Sequence, residues 1–236
     1  MSLAFDRVRF VLTVSSLAIV QIFCSGCQSV TGSTAKTLVR VIDASYNAPA
    51  VDVYVGNTLI GANIGSRSIT DYAYLNPAAF AVTVDPVSTR KATAQTGGTF
   101  LASQQHTVFI TDFNSSYQAT VLTDQNTPAP AGQISVRFLD QAPLSGNVDV
   151  YFVPDGAKFT DAKPVLSGLT PGGSTAYINI PAGTFSVVVV PSGATAAKYT
   201  SQSIAFTGGQ VRTMLIVDQQ LLNNPPINVL IGTDLN

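Results

Sequence analysis

Val51-Asp52-Val53-Tyr54-Val55 returns 97 residues later as Val148-Asp149-Val150-Tyr151-Phe152. Apolar residues alternate with Asp and Tyr in both, a period of two that turns one side of a strand inward. Gly56-Asn57, a tight-turn dipeptide, follows the first run, so 51–55 and 58–64 are predicted to pair as a hairpin. Outward from this block the chain goes on repeating. Val39-Arg40-Val41 followed by Asp43 returns as Val136-Arg137-Phe138 followed by Asp140, again 97 residues on. Pro77-Ala78 with Phe80, Val82, Val84 and Pro86 matches Pro181-Ala182 with Phe185, Val187, Val189 and Pro191, and 107–112 matches 213–218. Four blocks in one order describe a duplicated module.

Further strand-like runs fall at 68–74, 80–84, 92–100, 106–113 and 117–122, about seven strands per copy with turn signals between them. That pattern predicts an all-β chain of two tandem immunoglobulin-like β-sandwich domains. The first occupies 37–125 and the second 133–236, with the Pro-rich segment 126–132 (NTPAPAG) as a short, stiff linker. Few lysines are present to blunt exposed strand edges, so packing of one copy on the other is expected to cover them.

Composition narrows the chemistry. The 236 residues hold 12 Lys+Arg against 13 acidic residues, every one an Asp, with no Trp and His106 as the sole histidine. Only 11% of residues are charged, against roughly 25% in an average soluble chain. There is no histidine cluster for a metal, no basic face for nucleic acid, and little material for long amphipathic helices. No cofactor is implied.

The N-terminus reads as an export signal. Arg7 and Arg9 precede an apolar run from Phe10 to Phe23, too short for a comfortable bilayer span and suited to a signal-peptide core. Cys24-Ser25-Gly26-Cys27 follows, and its small residues before a cysteine resemble the lipobox of bacterial lipoprotein signal peptides. The resemblance implies cleavage of 1–26 and a diacylglycerol on Cys27, making the bilayer a partner, with several acyl chains giving stable anchoring. Cys24 stands where that pattern usually has an aliphatic residue. Gln28 after the cysteine implies outer-membrane sorting in a host that has one. Residues 27–36 are then a small, polar, flexible tether. Two alternatives stay open: ordinary signal cleavage without lipid, and a redox or metal pair formed by Cys24 and Cys27.

The stretch Val39-Arg40-Val41-Ile42-Asp43-Ala44-Ser45, then Asn47-Ala48-Pro49-Ala50 and the 51–55 block, resembles the start of the domain-of-unknown-function 4397 family. Pro181-Ala182-Gly183-Thr184-Phe185 resembles its proline-glycine turn. The likeness extends over 37–236 as two copies, departing from the family at Asp43 and Asp140, where a His is common. It implies secreted or surface β-sandwich modules, frequently in tandem, and no activity.

Candidate sites are few. Asp43 and Asp112, recurring as Asp140 and Asp218, are candidates for calcium, which needs 6–8 oxygens, or for turn closure at strand ends. Asp52 alternates with valines and is expected to point outward. Asp43, Asp52 and Asp112 are the carboxylates an envelope hydrolase would use. His106 lacks a Gly-x-Ser-x-Gly nucleophile elbow and aligns with Arg212, so it is read as an exposed strand-end residue rather than a catalytic one. Tyr54 and Tyr151 occupy one outward position in the two copies and are candidates for sugar or protein contact. The glycine pairs are turns, since neither a helix nor a Lys follows them. The functional expectation is a lipid-anchored, exported module for binding, adhesion or envelope scaffolding, with a glycan or envelope protein as partner. The alternatives are an envelope hydrolase and a non-catalytic subunit of a surface assembly.

Overall fold

The computed structural model describes residues 35–46, 48–112, 116–219 and 226–236. The predicted signal peptide, Cys27 and nearly all of the tether lie outside the described residues. From Ala35 onward the chain forms one compact unit.

Its first half contains β1 (Thr37–Asp43), β2 (Val51–Val55), β3 (Thr58–Ile64), β4 (Ser68–Ile69), β5 (Ala73–Leu75), β6 (Ala78–Pro86), β7 (Ala94–Phe100), β8 (Gln105–Thr111) and β9 (Gln118–Asp124). The second half contains β10 (Gln133–Gln141), β11 (Val148–Pro154), β12 (Leu166–Leu169), β13 (Ile178–Pro181), β14 (Gly183–Pro191), β15 (Tyr199–Thr200), β16 (Ile204–Phe206), β17 (Val211–Asp218) and β18 (Ile227–Leu235). A 3-10 turn at Phe159–Asp161 is the helical element of the described residues. The chain is all-β, as the periodicity predicts.

Four sheets result, and their strand orders correspond. The order β4-β1-β8-β9 in the first half is matched by β13-β10-β17-β18 in the second; β3-β2-β6-β7 is matched by β12-β11-β14-β15. The predicted hairpin is present, with Val55 opposite Thr58 and Gly56 at a φ of 58°, which glycine adopts readily. In each half the first strand also runs parallel to a distant one, β1 with β8 and β10 with β17.

The run expected as one strand over 68–74 is broken. Thr70 accepts the Val41 N–H through its side-chain oxygen at 2.9 Å, and Thr175 does the same for Phe138 at 3.0 Å. A side-chain acceptor takes the place of a ladder carbonyl there, so β4 and β5 pair with β1 as two short pieces.

Side-chain alternation explains the layering. Val39 and Val41 of β1 join Val53, Val82, Val84, Val108 and Ile110 in a core between the first pair of sheets. Val136 and Phe138 of β10 join Val150, Val187, Val189, Met214 and Ile216 in a core between the second pair. The opposite faces of these same strands meet each other. Ile42, Phe109, Leu139, Leu215 and Val217 form a third cluster joining the two halves. The sheets containing β1 and β10 are thus inner layers buried on both sides, and the other two are outer layers. Copy-to-copy packing therefore covers sheet faces, where edge cover was expected. A sheet buried on both faces explains why β10 and β17 are buried along almost every residue instead of alternating with solvent.

Candidate functional site

The seam between the inner sheets carries a buried polar layer. Arg40 and Arg137 stand at matched positions of β1 and β10, each flanked by core residues, so their side chains point into the seam. The Arg40 guanidinium donates to Asp234 of the other half at 2.5 Å and to Thr213 at 3.2 Å, while its Nε donates to Thr107 at 2.9 Å. Arg137 donates to Asp124 of the first half at 2.6 Å and to Thr213 at 3.0 Å. Each half thus supplies an arginine to the other half's aspartate.

The second carboxylate oxygens are held at home. Tyr72 and Thr107 donate to Asp124 at 2.7 and 2.6 Å; Tyr177 and Thr213 donate to Asp234 at 2.6 and 2.7 Å. Each arginine also lies over its own half's tyrosine, Arg40 at 4.8 Å from the Tyr72 ring centre and Arg137 at 5.0 Å from that of Tyr177.

Burial works to lower the Arg40 pKa, but Asp234, Tyr72 and Asp124 outweigh it, and the guanidinium is held above its ordinary value. Burial pushes the Tyr72 and Tyr177 phenols far up; they remain protonated donors. Both aspartate side chains are fully buried, so this layer is a joint and offers no surface to a ligand.

The predicted site residues are distributed as follows. Asp43 and Asp112 meet at the far end of the first inner sheet, and Asp140 and Asp218 at the same end of the second. Asp43 accepts the Ser45 N–H at 2.8 Å and Asp140 the Ala142 N–H at 2.9 Å, the i to i+2 bond of an Asx turn. Asp112 accepts the Tyr46 N–H and Asp218 the Leu144 N–H, each at 2.8 Å. Burial raises Asp43 to about 6, its turn hydrogen bonds opposing and Asp112 adding to the rise. Burial likewise raises Asp140 to about 7. All four act as turn closures. Among the described residues, no three of His, Cys, Asp and Glu gather as a metal would require.

Asp52 holds its expected place, and His106 does not. Asp52 is on the outward face of β2 but is only 6% exposed, because the bulged β3 donates the Asn63 N–H to it and Arg90 covers it at 3.0 Å. His106 is buried, 2% exposed, where an exposed strand end was expected. It packs edge-on against Phe100 at 5.1 Å, and neither ring nitrogen is hydrogen-bonded to the protein. Burial lowers its pKa, against the pull of Asp124. Its register mate, Arg212, is buried as well, so the alignment of the two positions holds.

Tyr54 and Tyr151 are half-buried on the outer sheets of opposite halves, so the layering separates them and they share no face. Tyr151 packs against Phe159 at 5.9 Å.

Among the described residues, the seam shows two clefts at the end carrying the Asx turns. One, of about 340 Å³, is lined by Ser66, Arg67, Gln219 and Asn228, and Arg67 donates to the Gln219 carbonyl across the seam. The other, of about 230 Å³, has Gln118, Thr120 and Leu122 on β9, Phe109 on β8, and Gln141 and Ser174 from the second half. The turn bearing Ser174 is docked on β10 through Gly172 N–H to Asp140 carbonyl at 2.8 Å and Asp140 N–H to Gly173 carbonyl at 2.9 Å. No sequence motif announces these clefts, since each is assembled from both copies.

The fold defines an all-β protein of paired sheets, with clefts along the seam between its halves. Residues 37–151 match the family model described as "Domain of unknown function (DUF4397)", which supports the resemblance over that span. No curated protein matches the sequence. Among solved structures, family 41 carbohydrate-binding modules from streptococcal virulence factors share 9% identity, with 78% of this chain and 94% of that one covered and a TM-score of 0.28. A candidate cell adhesion protein from Bacteroides uniformis shares 11%, covering 84% and 98%, at 0.26. The Bacillus anthracis TIE protein shares 10%, covering 78% of this chain and 34% of its own length, at 0.25. Likeness at these scores carries no argument about fold or function.

Proposed function

We propose that the chain is an exported lipoprotein, anchored in the cell envelope through Cys27, with the outer membrane as its site in a host that has one. Its halves, 37–125 and 133–236 joined by 126–132, are read as tandem immunoglobulin-like sandwich domains presented for binding, adhesion or scaffolding, without catalysis. A glycan or an envelope protein is the partner.

One observation carries this reading. The described chain starts at Ala35, beside the first residues of β1, while both clefts lie at the opposite end of the inner sheets. Seven strand residues at ~3.3 Å each place roughly 23 Å between the two ends. The point of attachment and the clefts are therefore at opposite ends of the inner sheets, which leaves the clefts clear of it. The hydrolase alternative is weakened because Asp43 and Asp140 are fully buried in turns and line neither cleft.

Labelling cells with a fatty-acid analogue, in parental and Cys27→Ala forms, tests the anchor. Label confined to the parental protein, with the variant released from the membrane fraction, is expected. Equal labelling of both forms contradicts the proposal.

A further inference from the structure

We propose that the cleft between β9 and the 172–174 turn is a binding site for a neutral carbohydrate, with room for one sugar ring. This rests on the reading of the protein as a binding module and names the ligand class of that module.

The cleft presents polar side chains that are free to pair with a ligand. Gln118, Thr120, Gln141 and Ser174 line the cleft, and among the described residues none of these side chains is hydrogen-bonded within the protein. Gln141 is buried over most of its side chain, and its carboxamide stays open to solvent at the cleft. With no protein partner to displace, these groups can exchange water for a ligand's hydroxyls. Two carboxamides and two hydroxyls each offer both donor and acceptor capacity. Vicinal sugar hydroxyls present the same dual capacity.

The remaining surface suits the rest of a sugar. Phe109 and Leu122 give the cleft an apolar side for the ring's C–H face. Among the described residues no lining side chain is charged, so none of them favours a phosphate, a carboxylate or a cation. The companion cleft contains Arg67, and the two are therefore chemically distinct. The volume of about 230 Å³ falls below the ~300 Å³ lower bound typical of drug-sized ligands, which sets the scale at a single ring.

The site is also fixed in place. One wall belongs to each half, and the Arg40–Asp234 and Arg137–Asp124 pairs hold those halves together. The ligand meets a formed cleft and does not have to order it, which favours affinity.

The test uses the full-length protein in detergent against an array of neutral glycans, acidic glycans and extended peptides. Thr120→Trp fills the cleft from an exposed position, and Gln118→Ala removes one exposed carboxamide, so neither threatens folding. Asn228→Ala alters the companion cleft as a control. The expected result is binding to neutral glycans, weakened at least tenfold by Thr120→Trp and by Gln118→Ala and unchanged by Asn228→Ala. Binding that survives Thr120→Trp, binding only to acidic glycans or only to peptides, or binding to nothing on the array overturns the inference. Retained fatty-acid labelling on Cys27 in the same preparation separates that failure from failure of the anchored-module reading.

Discussion

Arg40 on β1 reaches out of its own half to Asp234 on β18, 2.5 Å away, with both side chains shut off from solvent. The repeat returns the favour through Arg137 and Asp124 at 2.6 Å. An ion pair this deeply buried is weak evidence of net stability, but removing one partner strands a charge in a dry layer. The exchange therefore acts as a register device: it specifies which face of one half meets which face of the other.

Arg40→Met is expected to lower unfolding free energy by about 3–5 kcal/mol, the usual result of stranding one member of a buried pair. Replacing Asp234 with Leu as well should recover part of that loss, because the orphaned carboxylate goes too. Urea titration of the two single variants and the double checks this, a non-additive sum being the expected sign of coupling.

Gly232 lets the Arg40 side chain pass. A methyl group there would sit 2.8 Å from Arg40 Nη1 and 3.3 Å from Ile69. Gly232→Ala is expected to cost about 1–3 kcal/mol as an overpacked site. Gly97→Ala, where a methyl group meets nothing within 4 Å, is the control and should be close to neutral. Thermal midpoints of the two variants decide the matter.

Two buried carboxyls give the stability a pH dependence of defined sign. Burial raises Asp43 to about 6 and Asp140 to about 7, above the ~3.9 of an unfolded chain. The folded protein binds these protons more tightly, so their stabilisation is fully present below about pH 4 and is lost as pH rises through 6 to 7. Asp140→Asn keeps an oxygen for the Ala142 N–H and removes the titration. It is expected to raise the denaturation midpoint at pH 8 and to flatten the decline between pH 4 and 8.

His106 works in the opposite direction. Its pKa is lowered by burial, so its share of stability is present above the unfolded value of ~6.5 and is lost as pH falls. His106→Phe, placed against Phe100, should be more acid-tolerant than the parent in the same titration.

The β-strands were legible because their physics is local. Valine alternation and the Gly56-Asn57 turn locate β2 and β3 within a few residues, and the repeat of Val-Arg-Val as Val-Arg-Phe marks β1 and β10. The seam was hidden because the alternation cannot say what covers the second face of a strand. Arg40 between two valines has the pattern of a solvent-facing position; its cover is a sheet from the other half. His106 failed for the same reason, since Phe100 and the surrounding sheet bury a residue that lies at a strand end in the sequence. Asp124 and Asp234 carried no signal within their own segments. Recurrence of an arginine inside two otherwise apolar strands was the one clue that could have pointed to a shared, buried role.

The cleft and the joint both require the two halves to behave as one body. Differential scanning calorimetry of the intact chain tests that most directly. The account predicts a single transition whose calorimetric and van't Hoff enthalpies agree, splitting into two when Arg40 and Arg137 are both replaced by Met. Two separable transitions in the parental protein would contradict it.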